Sequence, residues 1–266
     1  MNRQVLYVSH GGGSLPLLGD VNHQALVAQL QDMAQRMQRP QAIIVFSAHW
    51  EANEVNITSS PQPELIYDYS GFAPESYHIQ YPAPGAPELA NQLAQSLQQA
   101  GISVHLNADR GFDHGVFVPL KIMFPQADIP VIQVSLLASL DADAHLRIGE
   151  ALAKLEIDNL LLLGSGFSFH NMRAFFNQSE EADVHNQVFE AWLKDTMQSA
   201  ALSEAERRQR LVTWAQAPSA RFCHPREEHL LPLHICYGLA QRPCDVYASA
   251  KVLGKNAGLF YWADPL

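Results

Sequence analysis

Apolar residues in this chain come in short runs, and many of the runs end on a polar residue or a glycine. Val5-Leu6-Tyr7-Val8 leads into Ser9-His10, and Ile43-Ile44-Val45-Phe46 leads into Ser47-Ala48-His49. Short continuous runs rich in β-branched residues predict strands buried on both faces of a parallel sheet. The pattern gives strands at 4–9, 42–47 and 54–58, with a helix over 22–38. That helix rests on Leu26, Leu30, Met33 and Met37, at helical spacing, and Pro40 stops it. Further on come a helix over 87–100 ended by Gly101, a strand at 104–106, a helix over 118–123 and a strand at 129–136. A helix over 141–155, a strand at 160–163, a polar helix over 181–210 and a helix over 225–239 containing Pro232 follow. Strand-like runs at 245–262 close the chain. Alternating strands and helices predict α/β architecture. We expect a single domain, 1–266, with a central mixed, largely parallel sheet flanked by helices, the late strands joining antiparallel.

Residues 59–87 break the pattern. They hold Pro61, Pro63, Pro74, Pro82, Pro84 and Pro87 among five aromatics, Tyr67, Tyr69, Phe72, Tyr77 and Tyr81. A long irregular segment inside a compact domain is usually functional or disordered, and this many aromatics argue against disorder. Two readings stand level: a lid or substrate wall, or a surface loop whose aromatics tuck into the core.

Composition narrows the function. With 17 basic and 27 acidic residues the formal net charge is −10, and no basic stripe marks a nucleic-acid binder. No apolar run approaches the roughly 20 residues of a membrane span, and the first residues lack a secretory pattern. Cys223, Cys236 and Cys244 fit neither a zinc ribbon nor CxxC, so they read as free thiols. A cytoplasmic location is the expectation, with no membrane partner. Oligomeric state is not specified by the pattern.

Histidine is the unusual residue, at 12. Five histidines follow strands or start helices: His10, His49, His114 in Asp-His-Gly, His170 in Phe-His-Asn and His229 in Glu-Glu-His-Leu-Leu-Pro. Ligands of open α/β sheets bind at the carboxyl ends of strands, so His10 and His49 read as half of a metal site. Imidazole suits zinc, copper, iron and nickel. A catalytic site takes about three protein ligands. Glu227, Glu228 or His229 can supply the third, and residue types alone do not choose among them. His170 and His114 become proton carriers near the metal, with Asp113 either orienting His114 or capping a helix. His224 reads as a cap for the helix bearing His229, and His78 as part of the aromatic loop. Gly164-Ser-Gly-Phe-Ser168 is not a nucleophile elbow. Gly11-Gly12-Gly13 is a tight loop but no Walker motif, leaving only anion binding through its amides.

Six pieces in order then show a likeness. Ser9-His-Gly-Gly-Gly13, Ser47-Ala-His-Trp50, Tyr81-Pro-Ala-Pro-Gly85, Phe112-Asp-His-Gly115, His170-Asn171 and Glu228-His-Leu-Leu-Pro-Leu233 resemble the class III extradiol ring-cleaving dioxygenases, specifically the 4,5-DOPA extradiol dioxygenase-like branch. The resemblance covers residues 5 to about 237. It implies one α/β domain and a divalent metal on His10, His49 and His229, with Glu228 in reserve because better-known members use glutamate. It puts His170 beside the metal as acid/base and His114 on the substrate side. The implied substrates are a catechol and O2, with Fe(II) for activity and Zn(II) as an occupant in purified protein. Tyr77 and Tyr81 are the expected ring contacts, and Arg173 or Arg226 would hold a substrate carboxylate. Two competing readings are a zinc hydrolase in the same pocket and a non-catalytic binding protein. The sequence departs from relatives at Gly12-Gly13, where Ser-Pro is common, and at Phe169.

Overall fold

The apolar runs meet in one eight-stranded sheet, described by a computed structural model over residues 3–155, 157–177 and 179–263. The strands are β1 (Arg3–Ser9), β2 (Ala42–Ala52), β3 (Val55–Thr58), β4 (Val104–Asn107), β5 (Val131–Leu137), β6 (Leu160–Gly166), β7 (Val246–Val252) and β8 (Lys255–Trp262). Their spatial order is β4-β3-β5-β2-β6-β1-β8-β7. The four central strands, β5, β2, β6 and β1, run parallel. β8 joins β1 antiparallel, β7 pairs antiparallel with β8, and β3 meets β5 antiparallel. The expected single α/β domain with a mixed, mostly parallel sheet is therefore what forms. Leu6, Tyr7, Val8, Ile43 to Phe46 and Leu161 to Leu163 are buried, as central parallel strands covered on both faces must be.

The helices are α1 (Gln24–Arg36), α2 (Pro87–Gln99), α3 (His114–Met123), α4 (Ala142–Leu152), α5 (Met172–Phe176), α6 (Glu180–Gln198), α7 (Glu204–Val212), α8 (Ala220–Cys223) and α9 (Leu231–Ala240). α9 lies against β6, β1 and β2 with α4 upon it, while α3 contacts β2, β6 and α1. At the α4–α9 crossing a Cβ on Gly149 or Gly238 would come within 2.2 Å of a facing carbonyl oxygen, so only glycine allows that approach. None of the described helices is long and apolar enough to cross a membrane. The three cysteines are free and buried.

Five departures from the expected elements are found, the first four of them at the site. β2 runs on to Ala52, but its register with β5 jumps from Phe46↔Val134 to Glu51↔Leu136, so residues 47–50 bulge opposite Ser135 alone. β6 continues through Gly164-Ser165-Gly166, where a Cβ on Gly166 would meet the His229 carbonyl at 2.1 Å. α3 starts at His114 rather than 118. The helix expected over 225–239 starts only at Leu231, with Pro232 in its first turn, where proline removes no helical bond. His229 thus lies in a turn ahead of α9 rather than on it. The polar helix expected over 181–210 is two helices, α6 and α7, with Ser203 and Glu206 forming a capping box at the start of the second.

Candidate metal and catalytic site

All five histidines converge at the carboxyl end of the parallel strands. His10 follows β1, and its amide donates to Gly166 O at 3.0 Å, extending the β1–β6 ladder. His49 is carried on the β2 bulge, where Ser47 Oγ accepts from the His49 amide at 3.2 Å and donates to Asp113 Oδ1 at 2.7 Å. Gly115 leaves room for the bulge, since a Cβ there would meet Ser47 Oγ at 2.3 Å and the His49 ring at 3.2 Å. His114 is the first residue of α3. His170 is held by its amide on Cys223 O at 2.9 Å. The carbonyl of His229 accepts from Tyr7 Oη at 2.9 Å and from the Phe167 amide at 3.0 Å.

The rings form one cluster. His10 Nε2 and His49 Nε2 are 3.1 Å apart. The His10 ring centre is 4.9, 5.3 and 5.3 Å from those of His49, His114 and His229, and the His49 centre is 3.9 Å from that of His114. His170 stacks on His229 at 3.4 Å and 15°. Donor atoms of His10, His49 and His114 lie within 4.8 Å of one another, and those of His170, Glu228 and His229 do likewise.

What lies behind each ring sets its tautomer. Ser165 Oγ donates to the Gly115 carbonyl, so its free lone pair accepts from His10 Nδ1–H at 3.1 Å. The Glu228 carboxylate faces His229 Nδ1 at 2.9 Å and His170 Nδ1 at 3.3 Å. The Asp68 carboxylate faces His114 Nδ1 at 2.8 Å and His49 Nδ1 at 3.7 Å. A carboxylate only accepts, so Nδ1 carries the proton on the rings it holds, and Nε2 is left as a bare lone pair. This is the arrangement in which histidines bind metals.

The electrostatics agree. Burial, and then the neighbouring His114, His229 and His170, hold His10 well below the usual histidine range, and burial, then His114 and His10, does so for His49. Burial and His170 push His229 down to about 3 against the pull of Glu228. Burial alone would raise Glu228, but hydrogen bonds from His170 and His229 outweigh it and hold it far below the carboxylate range. His10, His49 and His229 are therefore neutral imidazoles, with the ionised Glu228 carboxylate behind His229. Two nitrogens each about 2.1 Å from one ion lie roughly 3 Å apart, which the His10–His49 separation matches. The donor set fits a divalent transition metal.

The other expected residues fall as follows. Tyr81 is buried in the core, with its hydroxyl on Phe124 O at 3.2 Å. Its commitment to the core corrects the expectation of a substrate contact. Tyr77 lies among the loop aromatics, 5.6 Å from the Tyr69 ring, and Tyr69 in turn is 5.7 Å from His114. Arg173 is exposed on α5. Arg226 is taken: it pairs bidentately with Glu51 at 2.6 Å and reaches Glu228 at 3.2 Å. His224 does not cap α9: it ends α8, its amide on Ala220 O at 2.7 Å and its Nε2 2.9 Å from Ser168 O, and His78 is exposed. Asp113 occupies the N-cap position of α3 without a side-chain capping bond, and is bound instead to Ser47, Arg110 and Gln133. Gly12 gives its amide to His23 Nε2 at 3.0 Å, so that amide is not open to an anion. Sequence reasoning missed Asp68 and Ser165. A lone carboxylate between Tyr67 and Tyr69 was the available signal for the first.

Comparison with known proteins settles the ancestry. Residues 5–260 match the family described as the catalytic LigB subunit of aromatic ring-opening dioxygenase. The chain belongs to the LigB family, the class III extradiol dioxygenases. Among curated relatives, the dioxygenase tasH of Hapsidospora irregularis is 38% identical over 97% of this chain and 85% of its own length. A 4,5-DOPA dioxygenase extradiol of Beta vulgaris is 33% identical over 90% and 87%. The crystal structure of an uncharacterised Escherichia coli K12 protein superposes with a TM-score of 0.73 at 28% identity, covering 97% of this chain and 99% of that one. This LigB-family chain is thus an oxidoreductase of the extradiol dioxygenase class, acting on a small aromatic molecule and O2, in a metal-dependent family.

Proposed function

We propose that the chain cleaves the ring of a catechol, DOPA-like or related, beside its diol and inserts both atoms of O2 to give a muconic-semialdehyde-type product. The observation that carries this is the set of imidazoles with carboxylate-fixed Nδ1–H groups and inward Nε2 lone pairs. In this reading His10, His49 and His229 hold Fe(II), with Zn(II) as the ion retained in purified protein. The bound ion supplies a meeting point for diol and O2 and a route for charge between them.

The chain's own residues do the rest. His170 stands beside His229, with Glu228 behind its Nδ1. From there its Nε2 takes a proton from the diol and later returns it to the departing oxygen. His114 flanks the opposite side of the cluster, against the aromatic loop, where Tyr69 and Tyr77 offer faces for the ring. Arg173, free of the Glu51–Arg226 pairing, is the candidate for a substrate carboxylate. Three buried unpaired thiols support a reducing, cytoplasmic setting.

The test is metal-stripped protein reloaded anaerobically with Fe(II), then mixed with a panel of catechols and O2. Oxygen uptake with a yellow ring-fission product, abolished in His170→Ala, supports the proposal. Oxygen-independent hydrolysis by the zinc form, with no catechol consumed, overturns it in favour of a hydrolase.

A further inference from the structure

One carboxylate ties the aromatic loop to the histidine cluster. Asp68 Oδ1 accepts from the backbone amide of His114 at 3.0 Å and from its Nδ1 at 2.8 Å. The other oxygen, Oδ2, is 3.7 Å from His49 Nδ1. Asp68 therefore does at the start of α3 what the Asp113 side chain does not, satisfying an open amide of the first turn. The loop reaches this position by its own backbone. The Phe112 amide donates to Glu64 O and the Ile66 amide to Phe112 O, both at 2.7 Å, as a short ladder beside the His114 segment. Gly111 permits it, since a Cβ there would lie 2.4 Å from Glu64 O. Further along, Tyr67 Oη donates to Ile79 O at 2.6 Å and Tyr69 Oη to Ser76 O at 2.7 Å, which closes the loop on itself. Phe72 presses on Gly13, at φ +52°, where a Cβ would meet the ring at 2.7 Å. The segment is a docked wall.

We propose that Asp68 is a positioning residue for the reaction centre: delivered by the docked aromatic loop, it fixes the proton of His114 on Nδ1 and so turns a bare Nε2 toward the substrate side. Asp68 touches no substrate in this arrangement and acts through His114. The aromatic loop and the acid/base set are then one unit, because undocking the loop would free the His114 ring to adopt either tautomer. The kinetic consequence rests on the catechol reading, whereas the placement of the proton does not.

Long-range 1H–15N spectra of the histidine rings in the zinc-loaded protein test the placement, with His114 assigned by its loss in His114→Asn. The expected result is an Nδ1-protonated His114 in the parent chain and a mixture of tautomers in Asp68→Leu, which removes both oxygens and keeps the branching at Cγ. Asp68→Asn keeps one acceptor oxygen and should restore the parent tautomer, with the Nδ1 proton moved upfield by loss of the charge. It also serves if the leucine variant does not fold. A His114 protonated on Nε2 in the parent chain, or a spectrum indifferent to position 68, overturns the proposal. With the Fe(II) enzyme, Asp68→Leu should lower kcat about 10- to 100-fold and add nothing further in a His114→Ala background. Additive losses there would mean that Asp68 only supports the fold. Should the spectra behave as expected while no catechol is turned over, the catechol reading fails and the positioning role stands.

Discussion

Glu228 lies behind two imidazoles rather than among them, and that decides what its loss would do. It braces His229 and His170 at once, and Arg226 ties it to Glu51 on the β2 strand that carries His49. In Glu228→Gln the brace keeps one acceptor but loses its charge, so affinity for the ion should fall about 10- to 100-fold while the melting temperature of the folded chain changes little. Competition with a chelator measures the first and a thermal melt the second. Unchanged affinity would mean that Glu228 supports the turn and not the ion. At this scale the five histidines were legible because each ends an apolar run or opens a helix. Their braces were not. Asp68 is 46 positions from His114 in an irregular segment, and nothing in the local pattern says which ring it will meet. Tyr81 misled because an aromatic in that segment reads the same whether it faces a substrate or the core.

At the scale of elements, strands and helices followed from the apolar pattern, but their ends did not. β2 continues past His49 because a bulge absorbs residues that cannot join the ladder, and the pattern of side chains does not announce one. The α6–α7 break falls at residues 199–203, where no glycine or proline announces it. Two side chains make it. Ser203 caps α7, and fully buried Arg207 gives its guanidinium to the carbonyls of Thr196, Ser199 and Leu202 around the turn. Ser203→Ala should cost about 1 kcal/mol. Arg207→Ala should cost more, since it strands carbonyls in the interior. Urea midpoints of the two variants decide the order, and equal losses would contradict it. Gly166→Ala tests the site itself. Its added Cβ would sit 2.1 Å from the His229 carbonyl, so the turn must move, and the expected outcome is a folded or weakened chain that no longer retains metal, read by elemental analysis.

For the whole molecule the pattern gave the α/β class and the antiparallel late strands, but not the strand order, which depends on contacts far apart in sequence. Burial of so many histidines has a global cost in acid. His224 and His229 are pushed down to about 3 and His234 to about 4, chiefly by burial, and His10 and His49 are lowered too. Unfolded, each takes up a proton near its ordinary value of about 6.5. As pH falls below that value the unfolded chain binds protons the folded chain refuses, so stability falls. Buried Glu190, raised to about 7, works the other way between its ordinary value and 7, but it is one group against several. The urea midpoint of the metal-free chain should therefore drop between pH 7.5 and 5.5. With metal bound the profile should move up nearly parallel, because the lowered rings stay unprotonated in the folded chain over this range. A flat profile would mean that these rings are protonated in the folded state.

The five histidines are contributed at positions 10, 49, 114, 170 and 229, and β1, which delivers the first, is flanked by β8, the last strand of the chain. During synthesis His10 can meet His49 early but must wait for His229 and β8, which lie far along the chain. An ion captured early would meet only a few loosely held imidazoles. In the proposed metal reading, uptake comes late on the folding timeline, and the fraction of chains that hold an ion is a gauge of how many have finished.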